Sequence, residues 1–114
     1  MSKLDELIKE LCPCLPAGRR MGWKPWFAYV LLCDDGSLYK GHTDDIVRRY
    51  KEHCNGNGAK HTRLHKPVRI VLIEGVNSLE EAVNKEKYYK SGSGREWLKK
   101  NIKEGETICL NLMN

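Results

Sequence analysis

What this 114-residue sequence lacks narrows it first. No apolar run approaches the ~20 residues that a membrane-spanning helix needs. No apolar core follows a basic start, so a secretory signal is not expected and a cytoplasmic location is the default. Cys12-Pro13-Cys14 offers two thiolates, but no second pair stands at zinc-finger spacing among Cys33, Cys54 and Cys109. An odd count of five cysteines without a secretion signal is expected to stay reduced. Cys33 and Cys54 fall within apolar patterns and read as small buried hydrophobes. Internal repeats and low-complexity segments are missing too. Most telling, there is no acidic residue between Glu52 and Glu74.

What fills that gap is positive charge. Lys60, Arg63, Lys66 and Arg69 stand there with His53, His61 and His65, in a chain of net charge +5. A one-sign stretch attracts polyanions, and nucleic-acid backbone is the expected partner; a merely solvated basic loop is the alternative.

The length suffices for one core. Leu4, Leu7, Ile8 and Leu11 predict an amphipathic helix over residues 3–11, ended by Pro13, Pro16 and Gly18. With the basic linker behind it, this gives an added N-terminal segment, 1–24, expected to pack on the domain or recruit a protein partner. The domain proper is expected over 25–114. Trp26 to Cys33 reads as a strand, Asp34-Asp35-Gly36 as a turn, and Ser37 to His42 as a returning strand. Thr43 or Asp44 is expected to cap a helix that ends near Cys54 before Gly56. Pro67 to Glu74 reads as a third strand. Ser78-Leu79-Glu80-Glu81 is a capping box opening a helix to about Ser91, and Ser93-Gly94-Arg95-Glu96 repeats it. Residues 107–113 are left as an edge strand or a docked tail. The expectation is an α+β domain: a small three-stranded sheet flanked by helices, with the N-terminal helix added.

Two helices carry polar groups at a core boundary. At ~100° per residue, Leu79, Ala82, Val83 and Lys90 cluster on one side of the third major helix, with Glu86 in their midst. A carboxylate there is costly unless it is paired or bound to a metal. On the earlier helix Ile46, Val47, Tyr50 and Cys54 form the apolar stripe, and Arg49 and His53 lie one turn apart on its flank. A planar guanidinium beside an imidazole suits a phosphate. Tyr29 and Tyr39 lie on the hairpin. A two-residue loop would set them on opposite faces of the sheet, and a three-residue loop with Gly36 at positive φ on the same face.

Phe27-Ala28-Tyr29, nine further residues, then Tyr39-Lys40-Gly41 resembles the paired motif of the GIY-YIG nucleases, above all their small stand-alone bacterial members. Asp35 to Tyr39, Arg48-Arg49 with His53, Gly58 to Arg63, and the Glu within Asn84-Lys85-Glu86 are similar to the same members. The resemblance spans roughly residues 26–100 and favours the three-residue loop. It implies a metal-dependent endonuclease that hydrolyses phosphodiester bonds, with DNA the expected substrate. Tyr29, Tyr39, Arg49, His53 and Glu86 would be its catalytic set, and Glu86 would hold one Mg²⁺ or Mn²⁺. His42, Lys60, Arg63, Lys66 and Arg69 would contact nucleic acid. Some features depart from the pattern. The first motif keeps only its tyrosine, Lys40 replaces an aliphatic residue, and His42 stands where some members use Lys. Leu98 stands near the place of a downstream Asn, with Asn101 a candidate substitute. A binding module of the same fold that has lost catalysis is the alternative.

Overall fold

The hairpin turn fixes everything that follows. β1 (Trp26–Cys33) runs antiparallel to β2 (Leu38–Thr43), with Leu31 opposite Tyr39 and Leu32 opposite Leu38. Asp34, Asp35 and Gly36 are thus the three loop residues, closed by Cys33 N–H to the Ser37 carbonyl and Gly36 N–H to the Cys33 carbonyl. Gly36 takes φ +85°, a left-handed conformation that costs glycine nothing. Side chains alternate along a strand, so Tyr29, Leu31 and Tyr39 share a face.

A computed structural model describes residues 26–111. The predicted N-terminal helix and its linker lie outside the described residues. After the hairpin come α1 (Ile46–Cys54), α2 (Lys60–Leu64), β3 (Pro67–Val76), α3 (Leu79–Lys90), α4 (Gly92–Asn101) and β4 (Ile108–Leu110). The sheet order is β2-β1-β3-β4, with β4 parallel to β3. The three-stranded expectation is therefore corrected to a four-stranded mixed sheet. Ile108 and Leu110 pack on one face and Cys109 on the other, so this segment adds a strand rather than a docked tail.

The β1–β3 register slips between Val30 and Leu31, and this bulge gives β3 two consecutive residues for each face. Ile70 and Ile73 join Phe27, Tyr29 and Leu31 under Ile46 and Tyr50 of α1. Val71 and Leu72 join Ala28 and Val30 under Tyr89 of α3 and Leu98 of α4. Helices therefore cover both faces, and β3 has no polar alternation from Ile70 to Ile73.

Several boundaries moved for local reasons. Asp45 caps α1, its carboxylate accepting from Arg48 N–H, while Thr43 Oγ1 accepts from Asp45 N–H. Ser78 caps α3 as expected. Ser91, not Ser93, caps α4, accepting from Gly94 N–H. The five-residue α2 was missed: it is too short for periodicity to declare, and no side chain caps it. α3 is locked to β3 by Glu74, whose buried carboxylate accepts from Tyr89 Oη at 2.6 Å and pairs with Lys85 Nζ at 3.1 Å. Cys33 and Cys54 are free thiols. Among the described residues no helix is long and apolar enough to cross a membrane.

Candidate active site

β2 is an edge strand, so groups from both faces of the sheet can meet around it. They do so at a cavity of about 320 Å³ lined by Tyr29, Tyr39, Arg49 and Glu86, with Gly41, His42, Arg48 and Glu52 in its walls. Tyr29, Tyr39 and Gly41 approach from the α1 face. His42 approaches from the other face, opposite Ala28, and Glu86 reaches over from α3. The two tyrosine rings lie 6.3 Å apart. Arg49 projects from α1 into the same cavity, donating to Glu52 at 3.1 Å, and it favours the ionised form of the Tyr29 phenol.

His53 is not on the flank of α1, as its spacing suggested. It is fully buried behind Tyr29 and does not line the cavity. Its surroundings define its protons. Thr62 Oγ1 donates to the Ala59 carbonyl at 2.9 Å, so towards His53 Nδ1, 2.7 Å away, it accepts. Nδ1 therefore carries the hydrogen, and Nε2 accepts from the Tyr29 hydroxyl at 2.8 Å. Burial first, and Arg49 second, push the imidazole pKa down to about 4, so it is neutral at physiological pH. Burial also raises the Tyr29 phenol well above its ordinary value, outweighing the lowering effect of Arg49. At neutral pH a protonated phenol donates to a neutral imidazole.

Glu86 has company that the helical wheel did not reveal. Leu79 is exposed, so the buried face of α3 is Ala82 and Tyr89, with Glu86 at its border. Glu86 Oε1 lies 2.8 Å from His42 Nδ1, and Oε2 accepts from Lys90 Nζ at 2.9 Å. Burial opposes ionisation, but these two partners outweigh it and hold the carboxyl below its ordinary value. The costly unpaired carboxylate that the apolar stripe implied is thus a compensated one.

The family model described as the GIY-YIG catalytic domain matches residues 25–101. The chain belongs to the GIY-YIG family. A UPF0213 protein of Streptococcus agalactiae is 46% identical over 66 residues, which cover 58% of this chain and 75% of that protein. The UPF0213 protein YazA of Bacillus subtilis is 41% identical over 64 residues, 56% of this chain and 65% of that one. A UPF0213 protein of Staphylococcus epidermidis is 39% identical over 79 residues, 69% and 95% of the two chains. Among solved structures, the solution NMR structure of a UPF0213 protein of Bacillus halodurans is similar, with 41% identity and a TM-score of 0.42. It covers 67% of this chain and 83% of that one.

The GIY-YIG family is one of nucleases, and its members generally use a divalent metal. Its second-motif glycine has a visible purpose here. Gly41 faces Tyr29 across the hairpin, and a Cβ on it would lie 2.5 Å from the Tyr29 hydroxyl oxygen. The site fits one divalent cation. Glu86 is an ionised carboxylate on a water-accessible cavity, and each of its oxygens takes one hydrogen bond, leaving lone pairs. Mg²⁺ commonly binds through one or two carboxylates and keeps several waters. Asp34, Asp35 and His65 also bring ligand atoms within 4.8 Å of one another at the hairpin turn. None of them lines the cavity, and Asp35 already accepts from Ser37.

The remaining candidates divide. His42 sits in the cavity wall. Lys60 and Arg63 are exposed on α2, and Lys66 follows at the start of β3. Arg69 spends its guanidinium on the backbone carbonyls of Lys103 and Glu106, so it ties the chain before β4 to β3. Asn101 donates to the Trp97 carbonyl at the end of α4 and does not line the cavity. Lys40, the aliphatic-site departure, is half-buried; burial first, then the charges of Arg95 and Lys90, lower its pKa. The nearness of these three cations was not visible in the sequence, where they lie far apart. A larger cavity of about 580 Å³ lies between α3 and the end of β3, and it contains none of the tyrosine, arginine and Glu86 set.

Proposed function

We propose that the protein is a divalent-metal-dependent endonuclease that hydrolyses phosphodiester bonds, with DNA as its expected substrate. The observation that carries this reading is the meeting of Tyr29, Tyr39, Arg49 and Glu86 on one cavity, with a neutral His53 behind Tyr29. Incubating plasmid, linear duplex, branched and single-stranded DNA, and RNA, with and without Mg²⁺, tests it. No cleavage of any of them would leave a binding module of the same fold.

Each residue type suits a task. Glu86 would hold the cation, which supplies charge relief on the phosphate and the leaving oxygen when bound. Arg49 would grip the non-bridging oxygens, most strongly as charge accumulates in the transition state. Tyr29 is our choice as the group that activates water. Its phenol oxygen takes a proton from the attacking water while its own proton passes to His53 Nε2. Binding would also prepare the acceptor: a phosphate on Arg49 offsets the charge that helps depress the His53 pKa. Tyr39, half-buried beside Tyr29 with its ring 5.0 Å from that of His53, would orient the water or a phosphate oxygen. The leaving oxygen takes its proton from solvent.

Glu86→Gln should abolish Mg²⁺-dependent cleavage. Because Glu86 is paired with His42 and the exposed Lys90, its loss should cost only about 0.5–1 kcal/mol of stability, the scale of partly exposed ion pairs. Mg²⁺ should raise the melting temperature of the wild type and not of the variant, since only a binding-competent native state gains from the ligand. An equal rise in both would place the cation elsewhere.

Lys60 and Arg63 present charge from one short exposed helix beside the cavity-forming layer. Their joint change to Ala should weaken binding to all sequences alike. The slope of log affinity against log salt should flatten by about 0.9 for each phosphate that is no longer neutralised. An unaltered slope in a fluorescence-anisotropy titration would make this helix a solvated face only.

A further inference from the structure

We infer that Thr62 is a positioning residue for the candidate catalytic pair Tyr29–His53: its hydroxyl selects the His53 tautomer whose Nε2 can take the tyrosine proton. The inference rests on the nuclease reading for its activity arm, and on geometry alone for its spectroscopic arm. Thr62 is fully buried on α2, and neither its methyl nor its hydroxyl reaches the cavity. Its one hydrogen goes to the Ala59 carbonyl, so it faces His53 Nδ1 as an acceptor. A neutral imidazole has one donor and one acceptor nitrogen. Holding the hydrogen on Nδ1 leaves Nε2 bare towards Tyr29. With the hydrogen on Nε2 instead, Nδ1 and the Thr62 oxygen would face each other as two acceptors, and the Tyr29 oxygen would accept from Nε2, leaving the Tyr29 proton no acceptor on His53.

The loop leading into α2 enforces this arrangement. Gly58 passes so close that a Cβ there would lie 2.3 Å from His53 Nδ1. The Ala59 carbonyl that orients the Thr62 hydroxyl belongs to the same loop, and Lys60 and Arg63 flank Thr62 on the exposed side of the same short helix. The element expected to meet the nucleic-acid backbone is thus the element that sets the proton acceptor. Displacement of α2 would loosen both together.

Thr62→Val keeps the shape and removes the hydroxyl; Thr62→Ser keeps the hydroxyl and removes the methyl. Three measurements apply to both variants and the wild type: steady-state plasmid cleavage with Mg²⁺, thermal melting, and ¹⁵N NMR of the histidine side chains at neutral pH. The wild type should show His53 with its hydrogen on Nδ1. The Val variant should lose that signature and lose kcat by about 10²-fold or more, as wrong-tautomer variants of base-assisted enzymes do, with KM nearly unchanged. Thr62→Ser should recover both. A folded Val variant that cleaves like the wild type, or a wild-type His53 protonated on Nε2, overturns the inference. If Val does not fold, the wild-type and Ser tautomers decide it. If the wild type cleaves nothing, the nuclease reading falls, while the tautomer comparison still judges Thr62.

Discussion

Tyr29→Phe is expected to reduce cleavage by about 10²–10⁴-fold, the range for a positioned proton-transfer group, while the protein stays folded. The ring keeps its packing against Leu31, Ile46 and Tyr50, and only the oxygen goes. His53 Nε2 then has no donor in a buried setting, at a cost of about 1–3 kcal/mol. Tyr39→Phe should lose less, because the Tyr39 hydroxyl has no share in the His53 chain. The pH dependence follows from the same hydrogen bonds. The profile of kcat/KM reports the free protein, in which His53 titrates near 4. Efficiency should therefore hold through neutral and mildly acid pH and fall only as His53 gains its proton and ceases to accept another. Saturating substrate should move that limb upward, since the phosphate screens Arg49. Single-turnover cleavage of an end-labelled strand measures both effects, and a Phe variant as fast as the wild type would dispose of the assignment.

Gly41→Ala should do nearly as much damage without removing any reactive group. The new Cβ would stand 2.5 Å from the Tyr29 oxygen, 2.6 Å from its Cζ and 3.1 Å from Tyr39 Cε2. Tyr29 is only 3% exposed, so its ring has no room to swing away. Either the hairpin spreads or the phenol tilts, and in both cases the 2.8 Å hydrogen bond to His53 breaks. Overpacking of this kind typically costs about 1–3 kcal/mol. Urea unfolding with a parallel cleavage assay separates the two losses: activity should fall well beyond what the unfolded fraction explains. Full activity at reduced stability would mean that the Tyr29 hydroxyl need not sit where it does.

The two strands and the turn of the hairpin were legible because those patterns are local, but the loop length was not, and only the family resemblance favoured three residues over two. Once Gly36 takes the left-handed conformation, Tyr29 and Tyr39 must share a face. α1 and α3 were legible through their stripes and caps. Three things were not. β4 is three residues long and pairs parallel with a strand over thirty residues earlier, so no local pattern announces it. Glu86 was singled out correctly as a carboxylate at a core border, but its partner His42 comes from a distant strand and could not be seen from the helix alone. His53 looked like a flank residue because the wheel of α1 knows nothing of α2, which covers it. Thr62 had no visible reason to matter, since a buried hydroxyl is identified only by what it faces. The dipeptide Gly58-Ala59 before it was the available signal: a small-residue stretch where backbone must come close to something.

The Glu74 lock on α3 has a consequence for how freely the protein's outer surface can change. Lys85 and Tyr89 grip one carboxylate from positions just before and one turn after the residue that overlooks the cleft. Two pins on either side of a point fix both the roll of the helix about its axis and its slide along the sheet. A helix turns through about 100° per residue, so a slip of one position would aim Glu86 away from the cleft altogether. Because the pins hold that angle, the outward positions of α3, such as Glu80 and Lys87, are relieved of any part in aiming. Their charge can drift, and so tune which molecules approach, without disturbing where the carboxylate points.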